Sequence, residues 1–334
     1  MTNIMTGDGL FRRAFLAPAM CIRSFSHSTH VVGLDACHVK AYDGGVLLVL
    51  TILDGNGQVF PGAVAIAESE NSETWAWFLS IVKTAFGVHN GDGLVVFSDR
   101  EKGIDAAVKS LFPNASHSFC VCHYQKNLKV HFHTTLGGLL FVAARAESEK
   151  VFNEAIAEMK RMHEQAGDYV AKIEKEKWAR AFFPGHRFGR VTSNKSELMN
   201  WWLEKARYLE PVGLFSVYIR KLNWLFERRR RIYDSMPSNT LPPNVMRLLT
   251  RAIDKSRTLR FVKHTCDKFE VERIEPHLPF RVVDLNAGTC SCSFPQEHRI
   301  PCRHMCRALM YEKVHPKEFV IPQRRIEALK TTYV

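Results

Sequence analysis

The sequence predicts an α/β fold with a mixed sheet, on three observations. Two apolar runs, 45–53 (GVLLVLTIL) and 59–67 (VFPGAVAIA), flank Asp54-Gly55-Asn56-Gly57, residues that accept positive φ cheaply and so mark a hairpin. Strand-like and helix-like segments then alternate to about residue 121, which calls for parallel strands. From about 124 to 183 the periodicity is helical throughout, with apolar stripes among charges in FNEAIAEMKRMHEQ and DYVAKIEKEKWARAFF.

At 334 residues, 46% hydrophobic and 24% charged, the chain can bury a real core in one large domain or two. It contains no run near the roughly 20 apolar residues of a membrane span, so a soluble protein with no membrane partner is expected. The first segment, 1–29, holds FRRAFLAPAMCIRSFS, basic and almost free of acids like a mitochondrial presequence. Asp8 and the early apolar pattern do not make a basic amphipathic helix, so a lead-in helix or strand is expected instead.

Next comes HVVGLDACHVK, 30–40. Val31, Val32 and Leu34 read as a buried strand with Asp35 in its middle, where an unpaired carboxylate would cost several kcal/mol. Asp35 is therefore either a structural acid satisfied by a neighbouring Arg, Lys or backbone amide, or a metal ligand held rigidly by a strand. With the two runs of the hairpin it opens the fold as three antiparallel strands.

Residues 74–86 repeat apolar positions at helical spacing behind Asn71-Ser72-Glu73, which offer N-cap oxygens. A strand over 93–98 ends at Asp99, an amphipathic helix follows over 102–112, and a fifth strand over 115–121 runs into Cys120-Val121-Cys122-His123. A Thr-Ser-Asn cluster starts a helix over 191–203 that carries Glu197. Another helix, 215–233, contains Arg228, Arg229, Arg230 and Arg231, either a phosphate-contacting or nuclear-import patch or a solvated helix end. Residues 235–244, with three prolines and two asparagines, form the best linker.

The net charge of +12 is uneven. From residue 187 onward 28 Lys and Arg face 15 Asp and Glu, a net of +13, against −1 before it. Such asymmetry suits a polyanion, most simply nucleic acid, and equally a solvated basic surface. The nine cysteines are odd in number and partly clustered, which points to metal in a reducing compartment and away from a disulfide framework.

Two constellations carry chemistry. Asp35, Asp99 and Glu197 are three acids of which one ends a parallel strand, where functional groups of open α/β sheets collect. Brought together they would repel unless cations lay between them, and hard oxygen ligands suit two Mg²⁺ or Mn²⁺ ions and phosphodiester chemistry. The second is Cys290-x-Cys292, nine residues, then Cys302-x-His304, four ligands in two close pairs that can complete a tetrahedral structural Zn²⁺ site in a small module. Cys306 is a less well spaced substitute, and Cys21 and Cys266 read as ordinary thiols.

The strings LDACHVK, VVFSDREKGIDAAV, HSFCVCHYQKN and TSNKSELMN, in this order and spacing over about 31–204, resemble the Mutator-like element (MULE) transposases. That resemblance implies an RNase H-like core whose DDE carboxylates, here Asp35, Asp99 and Glu197, bind two metal ions, with a helical insertion at about 124–190. It also implies a Cys-x-x-His auxiliary pair, Cys120 and His123, either orienting the site or packed in the core; Cys122 has no counterpart, and Ala36-Cys37 stand where Gly-Thr is usual. The CxC and CxH pairs, over about 280–309, resemble the SWIM zinc finger, which often follows such cores.

The expected organisation is a lead-in over 1–29, an RNase H-like core over 30–210, a basic helical region and linker over 211–265, a SWIM finger over 266–315 and a tail over 316–334. The implied activity is that of a nuclear DNA transposase, cleaving and transferring strands of double-stranded DNA at element ends and target as a homo-oligomer. The alternative is a domesticated, non-cleaving DNA-binding regulator; a ribonuclease of the same fold has no RNA-specific feature behind it. Family members usually carry a zinc-type DNA-binding domain before the core, so a fragment, a truncated copy or dependence on a partner is expected.

Overall fold

The computed structural model describes residues 1–7, 10–41, 44–99, 103–192, 202–273 and 280–334. Seven strands form the first sheet: β1 Thr2–Gly7, β2 Leu10–Leu16, β3 Val31–His38, β4 Val46–Leu53, β5 Val59–Ala67, β6 Val95–Ser98 and β7 Ser116–Phe119, in the order β1-β2-β5-β4-β3-β6-β7. β3 is the pivot. On one side it pairs antiparallel with β4, which pairs antiparallel with β5, as the turn residues require. On the other it runs parallel to β6, and β6 parallel to β7, each crossover carrying a helix, Ser72–Ala85 or Ile104–Leu111. β4 and β6 are buried along their whole length, as expected for strands covered on both faces.

The lead-in is more structured than the sequence suggested. β1 and β2 form a hairpin that extends the sheet beyond β5, pairing Ala14 with Ile66 and Leu16 with Val64, and the helix Ala19–Phe25 follows. The signal was present in Gly7-Asp8-Gly9 between two apolar runs. Pro61 sits inside β5 without an N–H to donate, and there the β4 register shifts between Leu50 and Thr51.

The helical block consists of Val121–Phe132, Gly137–Arg145, Glu149–Met162 and Glu164–Ala171 around a core of its own that includes Tyr124, Leu140, Met159 and Trp178. The fifth strand is shorter than expected because Cys120 already stands at the N-cap of the first of these helices. The helix expected over 191–203 falls largely on 193–201, outside the described residues. Beyond it, the 24-residue helix Pro211–Asp234 buries Leu214, Tyr218, Leu222 and Phe226, an i, i+4 stripe, in the core of the first sheet.

A second, four-stranded antiparallel sheet, β8 Leu259–Lys263, β9 Lys268–Arg273, β10 Arg281–Asp284 and β11 Thr289–Cys290, packs against the helix Arg303–Tyr311. The last segment then returns to the first core. Ile326, Leu329 and Tyr333 from the helix Ile326–Thr332 and the residue after it are at most 1% exposed and lie among Phe60, Phe226 and Tyr233. No helix among the described residues is long and apolar enough to cross a membrane.

Candidate metal centre and carboxylate site

Cys290 ends the second sheet, Cys292 follows it, and Cys302 caps the helix that carries His304, so a β-turn and a helix start bring the two pairs together. The Cys302 thiol accepts from the Met305 N–H as an N-cap. One donor atom from each of Cys290, Cys292, Cys302 and His304 lies within 4.8 Å of all the others, and all four residues are buried. Nδ1 of His304 is 3.6 Å from Sγ of Cys290 and 3.7 Å from Sγ of Cys302. Zn–S and Zn–N bonds of ordinary length at a tetrahedral angle put sulfur and nitrogen roughly 3.6 Å apart. The residues fit zinc in number, softness and spacing.

The protonation pattern suits a metal as well. Hydrogen bonds from Cys290 and Cys302 hold the Cys292 thiol far below its ordinary range, while burial, with the other two thiols beside it, pushes Cys302 well up. Thiols bind a soft cation as thiolates, so zinc entering this cluster would displace their protons. Cys306 is not part of this cluster. It is fully buried with Leu241, Val245, Leu249 and Ile300, and burial pushes its thiol up to about 12.

The module is tied to the helical insertion by polar contacts. Glu297 accepts from the Gly189 N–H through its carboxylate, its carbonyl accepts from the Phe188 N–H, and its charge faces the fully buried Arg187 at 4.0 Å. Arg180 donates to the Cys292 carbonyl, and Arg281 pairs with Glu147 at 3.7 Å.

The second group of residues stands at one end of the first sheet. Gly33 of β3 pairs with Phe97 of β6, and two residues further along each strand come Asp35 and Asp99. Neighbouring strands lie about 4.8 Å apart, so two half-buried carboxylates emerge together. Asp35 accepts from the Ala36 N–H at 3.0 Å. Asp99 follows Ser98, whose hydroxyl donates to the Asp99 carbonyl at 2.6 Å. Cys120 donates its N–H to the Ser98 carbonyl, which sets it beside the same strand end. A hydrogen bond with Cys120 raises the His123 imidazole against the effect of burial, and the charge of Asp99 adds to the rise. Asp99, Cys120 and His123 thus form one neighbourhood, whereas Glu197 lies outside the described residues.

Two features here had no signal in the sequence. Ser98 Oγ is 2.8 Å from His117 Nε2, and His117 Nδ1 is 3.1 Å from Asp105 Oδ1, a buried chain that braces the strand end carrying Asp99. The hydrogen bond from His117 holds the Asp105 carboxyl well below the usual carboxylate range. Ser98 is fully buried, so this chain is a brace and not a nucleophile. Arg207, on the 3-10 turn Glu204–Tyr208, reaches Cys37 next to Asp35 and opposes the rise that burial imposes on that thiol.

The four arginines of 228–231 diverge. Arg229 turns inward and donates to the Tyr333 hydroxyl at 2.7 Å and the Val59 carbonyl at 2.9 Å. Arg230 and Arg231 share Glu227 at 2.5 and 2.7 Å, and Arg228 lies over the exposed Trp224 ring at 5.3 Å. Three of them face solvent and one supports the core.

Residues 31–127 match the model of the MULE transposase domain, and residues 278–313 match that of the SWIM zinc finger. The chain joins a MULE transposase domain to a SWIM zinc finger. It is similar to Protein FAR1-RELATED SEQUENCE 6 of Arabidopsis thaliana, 24% identical over 314 residues that cover 91% of this chain and 38% of that protein. It is also similar to Protein FAR-RED IMPAIRED RESPONSE 1 of Arabidopsis thaliana, 26% identical over 125 residues, 37% of this chain and 15% of that one. The chain therefore spans less than two fifths of the curated relatives it matches. The MULE domain and these relatives point to a transposase-derived family.

Proposed function

We propose that this chain is a nuclear DNA-binding regulator on a transposase-derived scaffold, with an RNase H-like core and a zinc-stabilised SWIM module. The observation that carries the reading is the likeness to FAR1-RELATED SEQUENCE 6 along 91% of the chain, through the core, the insertion and the finger alike. Both curated relatives carry names built on a far-red response and not on the mobility of an element. The strand order β5-β4-β3-β6-β7, with only β4 antiparallel to the pivot strand and its other neighbour β6 parallel, supports an RNase H-like core. The net charge of +13 beyond residue 186 supports a DNA partner, bound largely through phosphate neutralisation. Zinc, held by Cys290, Cys292, Cys302 and His304, supplies folding energy to a module with a small core.

A second reading, an active DDE transposase working as a homo-oligomer on element ends and target DNA, is favoured by Asp35 and Asp99 lying two residues past the paired Gly33 and Phe97 of neighbouring strands. With Glu197 they would hold Mg²⁺ or Mn²⁺, which would activate water for phosphodiester cleavage. Cys120 and His123, beside Asp99, would orient that site.

One experiment separates the two. Zinc-loaded protein and its Asp99→Ala variant are compared for binding to duplex DNA over a salt series and for Mn²⁺-dependent nicking. The regulator reading expects equal, steeply salt-sensitive binding and no nicking by either protein. Nicking by the wild type that Asp99→Ala abolishes would establish the transposase, and binding indifferent to salt would remove the DNA-binding reading.

A further inference from the structure

A cavity of about 460 Å³ lies at the β4–β5 turn, and its described lining includes neither the four zinc-site residues nor Asp35 and Asp99. Its walls carry Arg145, Arg190, Arg247 and Arg324, together with Asp54 and Asn56 of the turn. The four arginines come from far apart in the sequence. Arg145 ends the helix Gly137–Arg145, Arg190 follows the insertion, Arg247 lies on the helix Pro243–Ser256, and Arg324 belongs to the 3-10 turn Pro322–Arg324 near the end of the chain.

Among the described residues, none of the four has a carboxylate oxygen within 4.0 Å. Asp54, the acid of the cavity wall, is fully buried and already engaged: it accepts from the Tyr333 hydroxyl at 2.7 Å and the Gln58 N–H at 2.7 Å, with Arg229 at 3.9 Å. Arg324 is 3% exposed and, among the described residues, donates to two carbonyls, of Gly55 at 3.2 Å and of His298 at 2.7 Å. Arg190 donates to the Gly57 carbonyl at 2.6 Å. Burial pushes both guanidiniums down to about 10; the charge of Asp54 works against this on both, and that of Arg190 adds to it on Arg324. Carbonyl dipoles repay only part of the cost of taking a cation out of water, and two adjacent cations add repulsion. Each guanidinium has five N–H donors, so Arg190 and Arg324 keep several beyond those the carbonyls take.

We propose that this cavity binds a small organic polyphosphate, which the four arginines hold by charge-assisted hydrogen bonds. Planar guanidiniums match phosphate oxygens in pairs. The volume is that of a small-ligand pocket and too small for a duplex. A ligand seated there joins the insertion, which contributes Arg145 and Arg190, to the helix leading to the zinc module and the returning C-terminus, which contribute Arg247 and Arg324, beside the hairpin of the first sheet, so it acts as a clamp between them. The inference stands apart from the DNA-binding reading, since it concerns a cavity and not an open surface.

The test uses the full zinc-loaded chain with myo-inositol hexakisphosphate as probe, read by thermal unfolding and calorimetric titration against sodium sulfate of equal ionic strength. Arg145 and Arg247 are exposed, so Arg145→Glu/Arg247→Glu tests the cavity without disturbing the core, and Arg257→Glu, exposed and outside it, controls for charge. The hexakisphosphate is expected to raise Tm in the wild type and in Arg257→Glu but not in the double variant, whose affinity falls by at least about tenfold. No rise in the wild type, or an equal rise in all three, overturns the proposal. Displacement of labelled hexakisphosphate by a short DNA duplex at equal phosphate concentration also overturns it and assigns the arginines to the DNA surface.

Discussion

Tyr333 shows how much a single residue near the end of the chain supports. Its hydroxyl donates to the buried Asp54 carboxylate and accepts from Arg229, both at 2.7 Å, while its ring stacks on Tyr233 and meets the edges of Phe60 and Phe226. Tyr333→Phe keeps the ring but leaves a buried acid and a buried guanidinium each one partner short, a cost of about 1–3 kcal/mol. Equilibrium urea unfolding measures it; an unchanged midpoint would mean that water takes the place of the hydroxyl. His298 makes a pH prediction. Burial, reinforced by Arg180 and Arg324, pushes its imidazole down to about 3. An unfolded histidine takes its proton near pH 6.5, at roughly the ordinary value, so across this window the unfolded chain binds a proton that the folded chain refuses. Stability is therefore fully present above that value and falls as pH drops from there toward 3. His298→Gln removes this component while the protonation of zinc ligands stays common to both proteins. The stability of wild type minus that of variant should fall between pH 7 and 5, and a constant difference would show that His298 is not held neutral.

At the scale of elements, the zinc module and the N-terminal hairpin make opposite demands. The module has a small core, so Cys290→Ser is expected to lose the metal and unfold the second sheet, whereas Cys306→Ala, which changes a thiol packed in another cluster, should keep one zinc per chain. Metal analysis and far-UV circular dichroism decide it. Loss of zinc should also loosen the insertion, because Arg187 would keep its buried charge while Glu297 moved away. β1 and β2 cover the edge of β5; removing residues 1–16 bares a strand whose side chains are almost all buried, and aggregation is expected in light scattering. The β4–β5 hairpin, its antiparallel pairing to β3, and the two crossovers were legible because turn residues and apolar runs act over a few residues. The first hairpin was less legible, because Thr2, Asn3 and Thr6 in one strand and Arg12-Arg13 in the other interrupt the apolar alternation on either side of Gly7-Asp8-Gly9.

For the whole molecule, the return of the chain matters most. Residues 316–334, expected as a tail, place Ile326, Leu329 and Tyr333 in the core of the first sheet, so truncation before Ile326 should lower Tm by well over ten degrees and expose Phe60 and Phe226 to a hydrophobic dye. A truncated protein with an unchanged transition would show that the first core closes without them. The same long-range folding sorts the basic half. Of the four arginines at 228–231, one is spent internally, so charge reversal at Arg228, Arg230 and Arg231 is expected to weaken DNA binding and flatten its salt dependence without unfolding, while Arg229→Glu unfolds the core.

The sequence by itself determined most elements of the first sheet and which residues to ask about. Apolar periodicity, turn residues and cysteine spacing are local properties of the chain, and they were enough to put Asp35 within one strand, Asp99 just past the end of another, and Cys290, Cys292, Cys302 and His304 in one cluster. Tertiary structure decided what those groups face. Only folding sets Asp35 beside Asp99, braces the latter through Ser98, His117 and Asp105, turns Arg229 into the core, and gathers Arg145, Arg190, Arg247 and Arg324 around one cavity. The physical reason is that charge and burial depend on neighbours brought together across the chain, and no window of sequence contains both a buried charge and the partner that meets it.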